Sequence, residues 1–176
     1  KINFIHAVQS CFSKVFNTEL MEYRTKISSG IIRGKIITVE ATDYVCSQQK
    51  PAMELLNIYN TLTTWVMALN EGCALAYLAG LVDGDGTWNH KRNVLQIYTG
   101  DQKVADSISL ACLKLGTVPY VSKQRKSCYI IQISEFVEDI FKYTQRIKSK
   151  VKIRKYGTKL FAARKKHRAA DVRRHL

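Results

Sequence analysis

From about residue 74 onward helices and hairpins alternate in αββαββα order, followed by a last helix, within about 95 residues, and this alternation restricts the fold more than any other feature. A short apolar helix over about 74–83 runs into Asp83-Gly84-Asp85-Gly86. Strands are expected at about 86–91 and 94–100, with His90-Lys91-Arg92-Asn93 at the turn. Asp101 is placed to cap a helix over about 102–115, which Gly116 ends. Two further strands, about 118–123 and 128–133, flank the turn Gln124-Arg125-Lys126-Ser127. A helix follows at about 135–147, then a basic segment and a last helix near 158–168. Two hairpins with helices between them predict an α+β domain: an antiparallel sheet with helices on one face and the other face open to a ligand.

The first 70 residues are patterned less regularly. Ile5, Val8, Phe12, Val15 and Phe16 fall at helical spacing over 2–16. Two extended stretches, about 20–28 and 31–42, are separated by Ser28-Ser29-Gly30, read as a turn. Pro51 opens a long helical pattern to about 70 that carries Met53, Leu56, Tyr59, Leu62, Trp65 and Val66, and Glu71-Gly72 punctuates its end.

Charge location says more than charge total. The chain carries 28 Lys+Arg against 14 Asp+Glu. Residues 142–176 hold fourteen of the basic residues and one acid, Asp171, so the C-terminal fifth is +13 and the body only +1. Such a block suits neutralisation of a phosphate backbone, although charge alone does not separate DNA, RNA, an anionic membrane surface and a solvated tail. No run approaches the ~18–20 apolar residues of a membrane span; the longest candidate, Cys73 to Val82, stops at Asp83. Five scattered cysteines without a CxxC pair read as buried thiols in a reducing intracellular compartment, cytoplasm or organelle matrix. No secretory signal is visible, and the start without Met reads as a trimmed end.

The stretch from Tyr77 to Trp88 carries the chemistry. Ala76, Gly80 and Gly84 recur every four residues, a stripe of small side chains that lets a second helix approach closely. Leu78, Leu81 and Val82 lie off that stripe, toward the domain's own core. Asp83 and Asp85 sit where the helix dipole disfavours negative charge, and carboxylate and carbonyl oxygens are what hard divalent cations take. On pattern alone, Asp83-Gly84-Asp85-Gly86 also reads as a plain helix end and surface turn.

The run Leu78–Gly86 resembles the motif of the LAGLIDADG homing endonucleases, matching seven of nine letters, with Val82 and Gly84 as conservative departures. The element order over about 74–168 agrees with that family's αββαββα domain, which places an antiparallel saddle-shaped sheet in the DNA major groove. The resemblance divides the chain into an N-terminal α/β extension or degenerate half-repeat (1–72), the endonuclease domain (73–168) and a basic tail (169–176). One motif copy implies a homodimer whose motif helices pack side by side through Ala76, Gly80, Asp83 and Gly84. Residues 1–72 show no Asp-Gly pair closing their first helix.

The resemblance implies that Asp85 binds the divalent metal, Mg²⁺ with Ca²⁺ or Mn²⁺ able to substitute in binding, and that the Gly84 carbonyl is a second ligand. Asp83 caps the partner helix or orients the turn. At the end of the second strand, Asp101 either holds the attacking water or serves only as the helix cap. Lys150, then Lys152, matches the family lysine that polarises the solvent network. Alternation places Thr87, Asn89 and Lys91 outward on the first strand and Gln96 and Tyr98 on the second; Arg92 at the turn and Ser122, Gln124, Arg125, Lys126 and Gln132 of the other hairpin are further candidates for DNA contact, with Lys148 as a phosphate contact. This mix of amides and cations suits base readout, and a wetted sheet surface would look alike. Trp88 points inward. The implied function is a metal-dependent, site-specific double-stranded DNA endonuclease leaving cohesive 3′ overhangs. It is free-standing or intron-encoded, since intein splicing residues are absent from both ends of the chain. The alternatives are an RNA maturase and a non-catalytic DNA-binding protein.

Overall fold

The structure, a computed structural model, describes residues 2–32, 34–124 and 128–148. Its elements in chain order are α1 (Ile2–Phe16), β1 (Met21–Ile32), β2 (Lys35–Val45), α2 (Gln49–Asn60), α3 (Leu62–Ala68) and α4 (Glu71–Asp85). They continue with β3 (Gly86–Asn89), β4 (Val94–Thr99), α5 (Gln102–Lys114), β5 (Tyr120–Gln124), β6 (Cys128–Ile133) and α6 (Val137–Tyr143). From α4 onward this is the αββαββα order expected. The segment near 158–168, expected to be helical, and the tail 169–176 lie outside the described residues.

β3, β4, β6 and β5 form one antiparallel sheet in that order, with β4 and β6 central. Alternation along the central strands buries Leu95 and Ile97 of β4 and Ile131 and Ile133 of β6. Against them pack Leu78 and Val82 of α4, Ile108 and Cys112 of α5, and Val137 and Ile140 of α6. All buried hydrophobics of this core lie at or beyond Leu62. Of the five cysteines, expected as buried thiols, only Cys112 is buried, and burial pushes its thiol up to about 12.

Helix ends follow local chemistry. The Asn70 side chain accepts the Cys73 amide at 2.8 Å, so α4 begins at Glu71, three residues earlier than expected. Gly72, expected to end the preceding helix, lies inside α4; that helix itself divides into α2 and α3 at Thr61. Gly116, at φ +78°, ends α5, with the Thr117 amide on the Cys112 carbonyl at 3.0 Å. α4 passes directly into β3, and this junction requires glycine: a Cβ on Gly86 would lie 2.6 Å from the Val82 Cα and carbonyl oxygen.

The position of α6 is set by a contact from α4. Asp83 is 3% exposed, and its carboxylate accepts the backbone amides of Gln145, Arg146 and Ile147 at 2.5, 2.9 and 2.8 Å. In a continuing helix those amides would donate to carbonyls four residues back. Asp83 takes them instead, so α6 stops at Tyr143 rather than reaching 147. The Phe141 carbonyl exposed by this stop accepts from the Thr144 hydroxyl at 3.2 Å and from Lys148 Nζ at 3.4 Å.

The N-terminal hairpin forms a sheet of its own. Among the described residues, β1 and β2 pair only with each other. Their turn is at Gly34, φ +74°, not at Ser28-Ser29-Gly30; Ser29 pairs with Thr38 inside the ladder. The displacement has a simple cause: a tight turn needs a left-handed residue, which Gly34 supplies, while Gly30 is in an ordinary strand. Ile27, Ile31 and Ile36 on this hairpin are over 70% exposed. α1-β1-β2-α2 repeats the order of α5-β5-β6-α6, with connections of four, two and three residues against five, three and three. A left-handed residue follows the first helix in both, Asn17 and Gly116. The α4-β3 junction has no connection at all, so the resemblance is to the second half of the unit rather than the first.

Two substitutions test this architecture. Gly86→Ala should lower stability by about 1–3 kcal/mol, read from thermal unfolding, because a new Cβ must push apart the α4–β3 junction. Asp83→Asn replaces an acceptor with a donor that faces backbone amides. It should cost about 2–4 kcal/mol in denaturant unfolding and speed hydrogen exchange at residues 145–147; native protection there would show that the carboxylate does not hold that segment.

Candidate functional site

α4 divides cleanly into two sides. Ala74, Leu75, Leu78, Ala79 and Val82 are buried, whereas Ala76, Gly80 and Gly84 are exposed. A Cβ on Gly80 or Gly84 would meet nothing within 4 Å. The small-residue stripe therefore forms an open groove along the helix. Asp83 does not belong to it. Its side chain turns into its own chain, where its oxygens are taken by residues 145–147, and this replaces the partner-helix role expected for it.

Asp85, the last residue of α4, is exposed, and its carboxylate has neither a hydrogen bond nor an ion pair among the described residues. The neighbouring Gly84 carbonyl accepts from Arg146 Nη2 at 2.6 Å. One unengaged carboxylate beside one backbone carbonyl fits a hard divalent cation that draws its other oxygens from phosphate, water or a second acid. Among the described residues no three His, Cys, Asp or Glu side chains cluster to hold a metal by themselves. Arg146 was counted only as part of the basic block in the sequence; its place in the motif follows from Asp83, which fixes its backbone.

The register sets Gly86 opposite Ile97, so the end of α4 and the end of β4 lie at the same edge of the sheet. There Asp101 caps α5, its Oδ1 accepting the Lys103 amide at 2.8 Å. Its Oδ2 accepts the Tyr59 hydroxyl from α2. This phenol, foremost, and the amides of Lys103 and Val104 hold the Asp101 carboxyl below its usual range, against the opposing effect of burial. Asp101 in turn raises the Tyr59 phenol. Both carboxylate oxygens are engaged, and the cap, one of the two roles read for Asp101, is the one seen. Tyr59 carried no sequence signal beyond its helical spacing, since its partner is 42 residues away.

The outward sheet face gathers residues from all four strands. Thr87 faces Gln96, Gln96 faces Gln132, and Tyr98 and Ser122 lie on either side of Ile130. Asn89 and Gln124 complete the same face. Gln96 is at its centre, 8% exposed, accepting from Asn89 Nδ2 at 3.2 Å and from the Tyr98 hydroxyl at 3.5 Å. Trp88 points the other way, edge-on to Phe141. Lys91 and Arg92 are exposed at the β3–β4 turn, where the Asn89 side chain accepts the Arg92 amide. Tyr120, 56% exposed, and Ile130 also lie on this face; the sequence reading chose polar residues and passed over both. Lys148 donates to the Phe141 and Thr144 carbonyls at the end of α6. Lys150, Lys152, Arg125 and Lys126 lie outside the described residues.

A search of curated proteins finds no match to this chain. Among solved structures, the fold is similar to that of mesophilic variants of the homing endonuclease I-DmoI, at 15% identity and a TM-score of 0.50, covering 84% of this chain and 74% of that one. I-DmoI in complex with DNA and calcium is similar at 15% identity and a TM-score of 0.49, with 82% and 70% covered. A further I-DmoI variant, bound to its target DNA with magnesium, gives 15% and 0.47, with 80% and 70% covered. Residues 72–160, half of the sequence and a span that takes in the motif, the four-stranded sheet, α5 and α6, match the model of the LAGLIDADG-like domain. With the motif, the αββαββα order and this match in agreement, the chain belongs to the LAGLIDADG-like domain family.

Proposed function

We propose that this protein is a site-specific, metal-dependent double-stranded DNA endonuclease. The observation that carries the reading is the unengaged Asp85 carboxylate at the end of the motif helix, on the sheet edge that also presents the polar outward face. Asp85 and the Gly84 carbonyl would hold Mg²⁺, for which Ca²⁺ or Mn²⁺ could substitute in binding. When bound, such an ion supplies Lewis-acid stabilisation and an activated water for in-line phosphodiester hydrolysis. The protein's own part is placement. The outward face of β3, β4, β6 and β5 presents amide and hydroxyl groups suited to base edges, and a relay of hydrogen bonds fixes Asn89 and Tyr98 around Gln96. Asp83 keeps the segment leading to Lys150 and Lys152 against the motif.

Cleavage on both strands needs a second acid, and the open stripe Ala76-Gly80-Gly84 offers a place for a second motif helix. We assign that helix to another copy of the chain, giving a homodimer that cuts with cohesive 3′ overhangs. The α1-β1-β2-α2 segment reads as the second half of a further, incomplete unit, and intron encoding accords with the family. A reducing intracellular compartment accords with five free thiols.

Asp85→Asn should abolish Mg²⁺-dependent cleavage of intron-junction substrates while leaving sequence-specific binding intact in mobility-shift titration. Surviving cleavage would overturn the metal assignment; specific binding to intron RNA without DNA cleavage by the unaltered chain would favour a maturase. Gly80→Leu should leave the fold intact, because the space beside Gly80 is open, yet weaken self-association at least tenfold in sedimentation equilibrium. An unchanged dimer would place the seam elsewhere.

A further inference from the structure

Arg146 occupies the carbonyl that the proposed metal needs. Its Nη2 lies 2.6 Å from the Gly84 oxygen, beside Asp85. Its backbone amide is held by Asp83, so the residue is fixed at its root and movable at its tip. Its guanidinium carbon is also 5.9 Å from the centroid of the Phe4 ring of α1. The guanidinium is thus near both an aromatic ring and the last turn of the motif helix, where a cation is favourable.

A carbonyl oxygen has two lone pairs, but a dication and a guanidinium on one oxygen would be only a few ångströms apart. Their repulsion makes the two occupants alternatives. The geometry points to Arg146 as a positioning residue that acts as a placeholder: it satisfies the Gly84 carbonyl in the metal-free protein, and it gives up that carbonyl when a divalent ion enters. The inference rests on the metal assignment above and adds a regulation to it. Loading of the site is opposed by a cation of the protein itself until something draws that cation away. A DNA phosphate is the anion the proposed substrate would bring.

The test is Mn²⁺ binding to the full chain without DNA, followed by the loss of the free-ion paramagnetic resonance signal. Arg146→Ala should bind Mn²⁺ about threefold to tenfold more tightly than the unaltered protein, the effect of removing one competing hydrogen bond. Arg146→Lys, which can still donate to Gly84, should return affinity toward the original. Lys142→Ala removes a cation on α6 that pairs with Asp139 instead, and should change nothing. Arg146→Ala should stay folded with only a small fall in its thermal midpoint, since the clamp on Asp83 uses the backbone amide and only an exposed side-chain contact is lost. Equal affinity in Arg146→Ala, or equal tightening in Lys142→Ala, would overturn the placeholder. If Asp85→Asn still abolishes binding in that case, the endonuclease reading stands. Absence of any Asp85-dependent binding in every variant would overturn the placeholder, and the Asp85→Asn cleavage assay would then decide the endonuclease reading separately.

Discussion

The buried Asp83 carboxylate organises the functional end of this molecule. A charge at the C-terminal end of a helix opposes the helix dipole, and a buried one needs compensation. Three backbone amides from residues 145–147 supply it. From this one contact follow the early stop of α6, the packing of the post-helical segment against the motif, and the delivery of Arg146 to the Gly84 carbonyl. The two acids of the motif, two residues apart, thereby take opposite fates. Asp83 is spent on the fold, and Asp85 is left with no partner among the described residues.

The N-terminal part follows a different economy. All buried hydrophobics of the core lie at or beyond Leu62, and the β1–β2 hairpin exposes Ile27, Ile31 and Ile36. What organises that hairpin is its own ladder: Thr25 with Thr42, Ser29 with Thr38, and Asp43 between Arg24 and Lys26. Exposed ion pairs of this kind contribute little to stability. Strands longer than those of the four-stranded sheet, in an α-β-β-α order with spacing close to that of its second half, form a unit whose Ile27, Ile31 and Ile36 are not covered by the other described elements. The structural likeness to I-DmoI mesophilic variants extends over 84% of the chain, beyond the residues that match the family model.

Several elements were legible from local pattern alone. Alternation in β4 separated Leu95 and Ile97 from Gln96 and Tyr98, and pairing with β3 and β6 then assembled Thr87, Asn89, Gln132 and Ser122 on the same outward face. The Gly116 stop, and the cap as one of the two roles open to Asp101, are legible because both depend on groups within five residues. Misplaced boundaries had equally local causes. Asn70 opened a helix where Glu71-Gly72 looked like an ending, and Gly34 made the turn that Ser28-Ser29-Gly30 suggested.

By itself the sequence determined the order of elements from α4 to α6, the inward and outward sides of the strands, and the identity of the motif. Those follow from short periods, small residues at fixed spacing and caps, each recorded in a few neighbouring letters. Only the tertiary structure decided which acid is buried, which arginine reaches the motif, and that Tyr59 shares Asp101 with the α5 cap. Each of these is a hydrogen bond between groups 42 to 64 residues apart. Such contacts leave no periodic trace in the chain, because they exist only once packing has brought the ends of α4, α6 and α2 to their places.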